Sequence, residues 1–154
     1  MPILSDPPLR LLVAFQQVTD SPPQWLVAVD GRAMWAAADC QAGRGCLLYA
    51  HDLGGKAHFD LRSARQQRTI TGRPLPAWAR LSAATALVLD EMSLLLPSLR
   101  LAMVGDEPVG ARYSHALALG LVAICYAAQG VDAALPQLLA VVGQVRGVGG
   151  TGPL

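Results

Sequence analysis

A chain of 154 residues is near the usual size of one domain and can bury roughly two thirds of the surface its unfolded form exposes, so it needs no staples to fold. Hydrophobic residues at 53% and charged residues at 15% exclude a disordered chain and imply a large core or an extensive buried partner surface. A formal net charge of +1 points to no globally electrostatic partner.

Ser5-Asp6-Pro7-Pro8 reads as a helix start, and Leu9, Leu12, Val13, Phe15 and Val18 give an apolar face that predicts helix over about 7–18. Ser21-Pro22-Pro23 ends it. Trp25 to Val29 is a short strand closed by the turn signal Asp30-Gly31. Gly43 and Gly45 bracket Arg44 before a second strand, Cys46 to Ala50, and Gly54-Gly55 separates that from the alternating segment Ala57 to Arg62. Two or three antiparallel strands fit this stretch. Residues 77–96 have helical spacing until Pro97 stops them.

Leu99 to Val104 alternates as a half-buried strand, Gly105-Asp106-Glu107-Pro108 turns the chain, and a helix over about 112–129 ends at Gly130. Pro136 opens a last helix through Val145, and the glycine-rich tail 147–154 is expected to fray. No internal repeat is present, and the whole of 1–154 reads as a single α+β domain.

The three cysteines, Cys40, Cys46 and Cys125, lack the spacing of a disulfide framework, and Met-Pro-Ile-Leu-Ser-Asp is not a secretory start. A reducing, cytoplasmic setting is the expectation. The apolar run Ala116 to Ala128 is shorter than the roughly 20 residues a bilayer-spanning helix needs, so no membrane partner is expected and the run reads as a core helix.

The chemistry centres on the step from strand to helix at Val104 to Leu119. A glycine-containing loop entering a helix offers unpaired N–H groups and a positive dipole end to an anion, and Arg112, Ser114 and His115 add donors. Gly110 and Ala111 would form the backbone of that cradle. Cys40, Cys46, His51 and His58 do not have a zinc spacing, so no metal site is expected, and Ser114 beside His115 is no nucleophile signature because helix neighbours point apart. Lys56, Arg62, Arg65, Arg68, Arg73 and Arg80 face a single acid, Asp60, between residues 56 and 80. With only Phe59 and Trp78 to stack on bases, nucleic acid is not the expected partner, and a solvated face or an acidic partner remains.

In order and spacing the chain resembles the N-terminal part of the GHMP kinases, galactokinase most of all. Phe15, Pro22 and Pro23 precede Asp30-Gly31-Arg32-Ala33-Met34-Trp35-Ala36-Ala37-Ala38-Asp39-Cys40-Gln41, as a helix and a Pro-containing loop precede the family's sugar-binding signature. Val104-Gly105-Asp106-Glu107-Pro108-Val109-Gly110-Ala111 is similar to the first half of the family's phosphate-binding motif. The resemblance spans roughly residues 9–145.

It implies an antiparallel sheet packed in two layers by the 77–96 and 112–129 helices. It also implies ATP with magnesium as cofactor at Gly110, Ala111, Arg112, Ser114 and His115, with Arg32 and Asp39 toward a sugar substrate. The family's sugar-holding Glu-His and Asp correspond to Ala38, Asp39 and Gln41, and its Gly-Leu-Ser-Ser-Ser corresponds to Arg112-Tyr113-Ser114-His115-Ala116. The chain also ends near the point where galactokinases supply a catalytic Asp.

A degenerate domain binding a small phosphorylated or sugar ligand, or a protein partner, and not catalytic alone is the resulting expectation. A sugar kinase completed by a partner chain or dimer, and an interaction module using the Arg-rich segment 56–80 for an acidic partner or nucleic acid, are the alternatives. The apolar composition further suggests a homodimer.

Overall fold

A computed structural model describes residues 8–41, 43 and 45–145. The Ser5-Asp6 start signal, Arg44 and the 147–154 tail lie outside them. The elements in chain order are α1 (Leu9–Thr19), β1 (Trp25–Ala28), β2 (Met34–Cys40), β3 (Cys46–Ala50), a single 3-10 turn (His51–Leu53), β4 (Gly55–Phe59), α2 (Leu61–Arg65), α3 (Ala77–Glu91), β5 (Leu99–Gly105), α4 (Ala111–Ala128) and α5 (Leu135–Val142).

The five strands form one sheet in the order β1-β2-β5-β3-β4. Neighbours run antiparallel except β3 and β5, whose pairing (Leu48 with Leu101) is parallel. The fold is thus α+β, with helices packed on a largely antiparallel sheet. Side chains alternate across it. One face carries Val27, Met34, Ala36, Ala38, Leu48, Ala57, Phe59, Leu99, Leu101 and Met103 into the main core under α3, α4 and α5. The opposite face carries Ala37, Ala102 and Val104, and α1 covers these with Leu11, Ala14 and Phe15. The helix α1 therefore adds a partial third layer.

Local chemistry sets the boundaries. β2 does not stand out by propensity, since alanine is a weak strand former. Ala36, Ala37 and Ala38 lie in strand because both faces are covered and small side chains let α1 and α4 approach closely. The alternation expected through Arg62 stops at Phe59, because Asp60 caps α2: its Oδ1 accepts from Ser63 N–H (2.7 Å), and Ser63 Oγ accepts from Asp60 N–H (3.0 Å). The helix expected over 77–96 ends at Glu91 instead, since Ser93 turns left-handed (φ 59°) and Leu94 N–H bonds back to Leu89 O (2.8 Å).

By length and composition α4 could cross a membrane, yet 61% of it is buried inside the domain, with every residue from Ala116 to Cys125 buried. Gly120 lets it settle on the sheet. A Cβ there would press into the thioether of Met103 and lie 3.4 Å from Val29.

Candidate functional site

β5 delivers the chain to a loop that is tied on two sides before α4 begins. Gly105 N–H donates to Asp52 Oδ2 (2.9 Å), and Asp106 N–H donates to Ala33 O (2.8 Å) in the turn between β1 and β2. Ala33 N–H donates in return to Glu107 Oε2 (2.6 Å). The carboxylate of Glu107 is therefore folded inward, with the residue only 9% exposed. Its second oxygen, Oε1, is buried and has no hydrogen-bond partner among the described residues. Arg112 Nη2 lies 3.5 Å from it, an ion pair without hydrogen-bond geometry whose guanidinium is 72% exposed.

The loop then passes Val109, which is exposed, and enters α4 through Gly110 at φ 118° and ψ −146°, a backbone state open to glycine. No side chain caps the helix there, so the first-turn N–H groups and the positive dipole end face outward at Gly110, Ala111 and Arg112. Tyr113 points inward instead. Its hydroxyl donates to Asp52 Oδ2 (2.7 Å), and burial followed by that bond raises the phenol's pKa. Asp52 thus holds β5 and α4 together.

Ser114 and His115 lie half-buried on the next turn. Arg32, from the turn between β1 and β2, brings Nη2 to 3.5 Å from His115 Nδ1. A guanidinium can only donate, so this geometry makes Nδ1 the acceptor. Burial first, and the Arg32 charge second, lower the imidazole's pKa.

Gly110, Ala111, Arg112, Ser114 and His115 thus stand together, and Arg32 joins them. Asp39 does not. It lies five residues along β2 from Met34, about 17 Å away along the strand, where both its oxygens bind Arg100 (2.8 and 2.6 Å). Asp39, expected with Arg32 toward a sugar substrate, thus stands apart from Arg32 and the junction residues. Of the cysteines and histidines weighed as zinc donors, Cys40 and Cys46 both pack against the main core, whereas His58 is on the opposite face and His51 Nδ1 meets the Tyr49 hydroxyl (3.0 Å).

Glu107, Asp52 and Tyr113 were not singled out in the sequence. An acidic residue in a turn and a tyrosine in a first turn are too common to mark a site. Electrostatically, Arg10, Arg32 and Arg112 stand against Asp52, Asp106 and Glu107, Arg10 being paired with Asp106 (3.0 Å). The junction offers donors and acceptors side by side with no cationic excess. Among the described residues no three His, Cys, Asp or Glu side chains gather as a metal site.

No protein-family model matches the chain, and a search of curated proteins finds no match. Solved structures do match in fold. The mevalonate kinase of Methanococcus jannaschii is 8% identical with a TM-score of 0.53, over 74% of this chain and 36% of that one. A second mevalonate kinase is also 8% identical, with a TM-score of 0.55 and the same coverages. The galactokinase of Lactococcus lactis, solved with galactose, is 14% identical with a TM-score of 0.57, over 80% of this chain and 32% of that one. The chain spans about a third of the length of each. Its five-stranded sheet and covering helices are a fold shared with part of these GHMP kinases.

Proposed function

We propose that this chain is a ligand-binding domain on a GHMP-kinase-like fold, which holds a sugar or a singly phosphorylated small molecule at the β5–α4 junction and does not transfer phosphate on its own. The observation that carries this reading is the pairing of an uncapped helix N-terminus with a buried carboxylate oxygen that lacks a hydrogen-bond partner. Open N–H groups, Arg112 and Arg32 donate, while Glu107 and Ser114 accept. A polyol hydroxyl, which both donates and accepts, complements that set.

Magnesium ATP fits it less well. A triphosphate needs an excess of cations and donors, and Glu107 places a carboxylate in the loop that would have to cradle it. The exposed Arg112 can serve one anionic group. It cannot offset several.

Thermal unfolding with a panel of sugars, sugar monophosphates, ADP and magnesium ATP tests the reading, because a ligand that binds only the folded chain raises its stability by about 2.7 kcal/mol at a hundredfold excess over Kd. The expected result is a shift with a sugar or sugar monophosphate that disappears in Arg112→Ala and Ser114→Ala. A larger shift with magnesium ATP, accompanied by ATP-dependent phosphate release, would overturn it in favour of a kinase completed by a partner chain.

A further inference from the structure

The sheet face that carries α1 is left open toward β3 and β4. The register sets two rows of side chains across that face. The first runs His58, Leu47, Arg100, Asp39, and the second Lys56, Tyr49, Ala102, Ala37. α1 covers Ala37 and Ala102 and stops short of the β4 edge. Beyond the edge, residues 68–74 form a tight turn built by Thr69 N–H to Arg73 O (2.7 Å), Arg73 N–H to Thr69 Oγ1 (3.2 Å) and Arg68 Nη1 to Gly72 O (2.7 Å). Ile70 N–H bonds His58 O (2.9 Å), which holds the turn upright against β4.

Between the turn and the sheet lies a groove of about 390 Å³, lined by Leu47, Lys56, His58, Thr71 and Arg73 among others. A smaller hollow of about 170 Å³ continues from it past Leu47 and His58 to Arg100.

The charge here differs from that of the β5–α4 junction. Lys56 stands 5.6 Å over the Tyr49 ring, and Arg73 is exposed on the turn. Asp106 pairs with Arg10, Asp39 with Arg100 and Glu107 with Arg112, so none of these three acids answers Lys56, Arg68 or Arg73. Asp39, the acid of the first row, is 3% exposed and matched by Arg100 (2.6 Å), so it contributes little field. Asp60, the single acid of the basic segment, lines a different cleft beside Phe59 and Leu61. The groove is concave, walled by hydroxyls and one apolar side, and it carries the exposed cations Lys56 and Arg73. Those features suit the phosphate of a small molecule whose remainder lies on Leu47 and Ile70.

We propose that the groove between β4 and the 69–73 turn is a binding site for a small phosphorylated ligand, held through Lys56 and Arg73 and separate from the β5–α4 junction. Titration of backbone amide signals by NMR at low salt tests it, with inorganic phosphate, a sugar monophosphate and a short oligothymidylate as probes. The expected result is saturable movement of the amides of residues 56, 58 and 69–73 with the sugar monophosphate. Affinity read at these amides should fall about tenfold or more in Lys56→Gln and in Arg73→Gln, and stay unchanged in Arg62→Gln, an exposed arginine outside the groove.

Three results would overturn it: no movement at these amides with any probe, movement confined to residues 110–115 and lost in Arg112→Ala, or binding of the oligothymidylate alone. The second of these leaves the junction reading intact, so the two proposals fail separately. Both substituted side chains are exposed, so the variants should fold, and unfolding midpoints equal to the parent would confirm it.

Discussion

The buried Asp39 and the half-buried Arg100 form a two-pronged ion pair between adjacent strands, and such a pair is costly to break on one side only. Arg100→Leu leaves the Asp39 carboxylate uncompensated and should destabilise the fold by about 2–3 kcal/mol, whereas Asp39→Leu with Arg100→Leu should recover most of that loss. Urea unfolding of the single and double variants measures both. A single variant as stable as the parent would show that water already solvates the carboxylate. Ser82 presents the opposite case. Its hydroxyl is buried in α3 without a partner, so Ser82→Ala should stabilise by about 1 kcal/mol. His115 makes stability depend on pH. Its pKa is lowered from 6.5 by folding, so the unfolded chain binds the proton more readily. Stability is then fully present above about 6.5 and declines as pH falls below that value toward the lower folded pKa, a slope that His115→Asn should remove from a series of unfolding midpoints. Of the candidate site, the run from Gly110 to His115 stood out in the sequence because a glycine loop before a helix is a local pattern, whereas Arg32 entered only through the family resemblance. Glu107 and Asp52 were not, since a contact such as Glu107 Oε2 to Ala33 N–H joins residues 74 positions apart.

At the scale of elements, the helices were read largely where they occur and the sheet less well. α4 carries its own signal, a long apolar run opened by glycine and closed by Gly130. β2 has none, because its three alanines become strand only when α1 and the main core cover them from both sides. The parallel partnership of β3 and β5 was equally hidden, since alternation in a strand does not state which way its neighbour runs. Gly105 is where β5 meets the turn between β1 and β2. A Cβ there would strike Ala33 O and lie 2.8 Å from Met34 Cα, and backbone atoms cannot swing aside. Gly105→Ala should therefore cost about 3 kcal/mol, while Gly120→Ala, which meets mainly the flexible tip of Met103, should cost less. Denaturation midpoints of the two variants give the comparison, and equal losses would contradict the stated contacts.

For the molecule as a whole, the thiols report on integrity. Cys46 and Cys125 are buried, with pKa values raised by that burial, Cys125 to about 12, while Cys40 is half-buried. A thiol-specific reagent should modify Cys40 first and reach the other two only through unfolding, so their labelling should accelerate in step with urea. Immediate labelling of all three would contradict the packing of the core. The strand order has a further consequence, in time rather than in space. The β1–β2 and β3–β4 hairpins can each form from neighbouring residues, but they are joined in the sheet through β5, which sits between β2 and β3 and is synthesised after both. During translation the two hairpins must wait side by side, with β2 and β3 presenting unpaired edges, until residues 99–105 emerge and insert between them. Pairings over such sequence separations are slow to find. The nascent chain's most vulnerable interval is that wait, and a fragment ending before Leu99 should aggregate where the full chain does not.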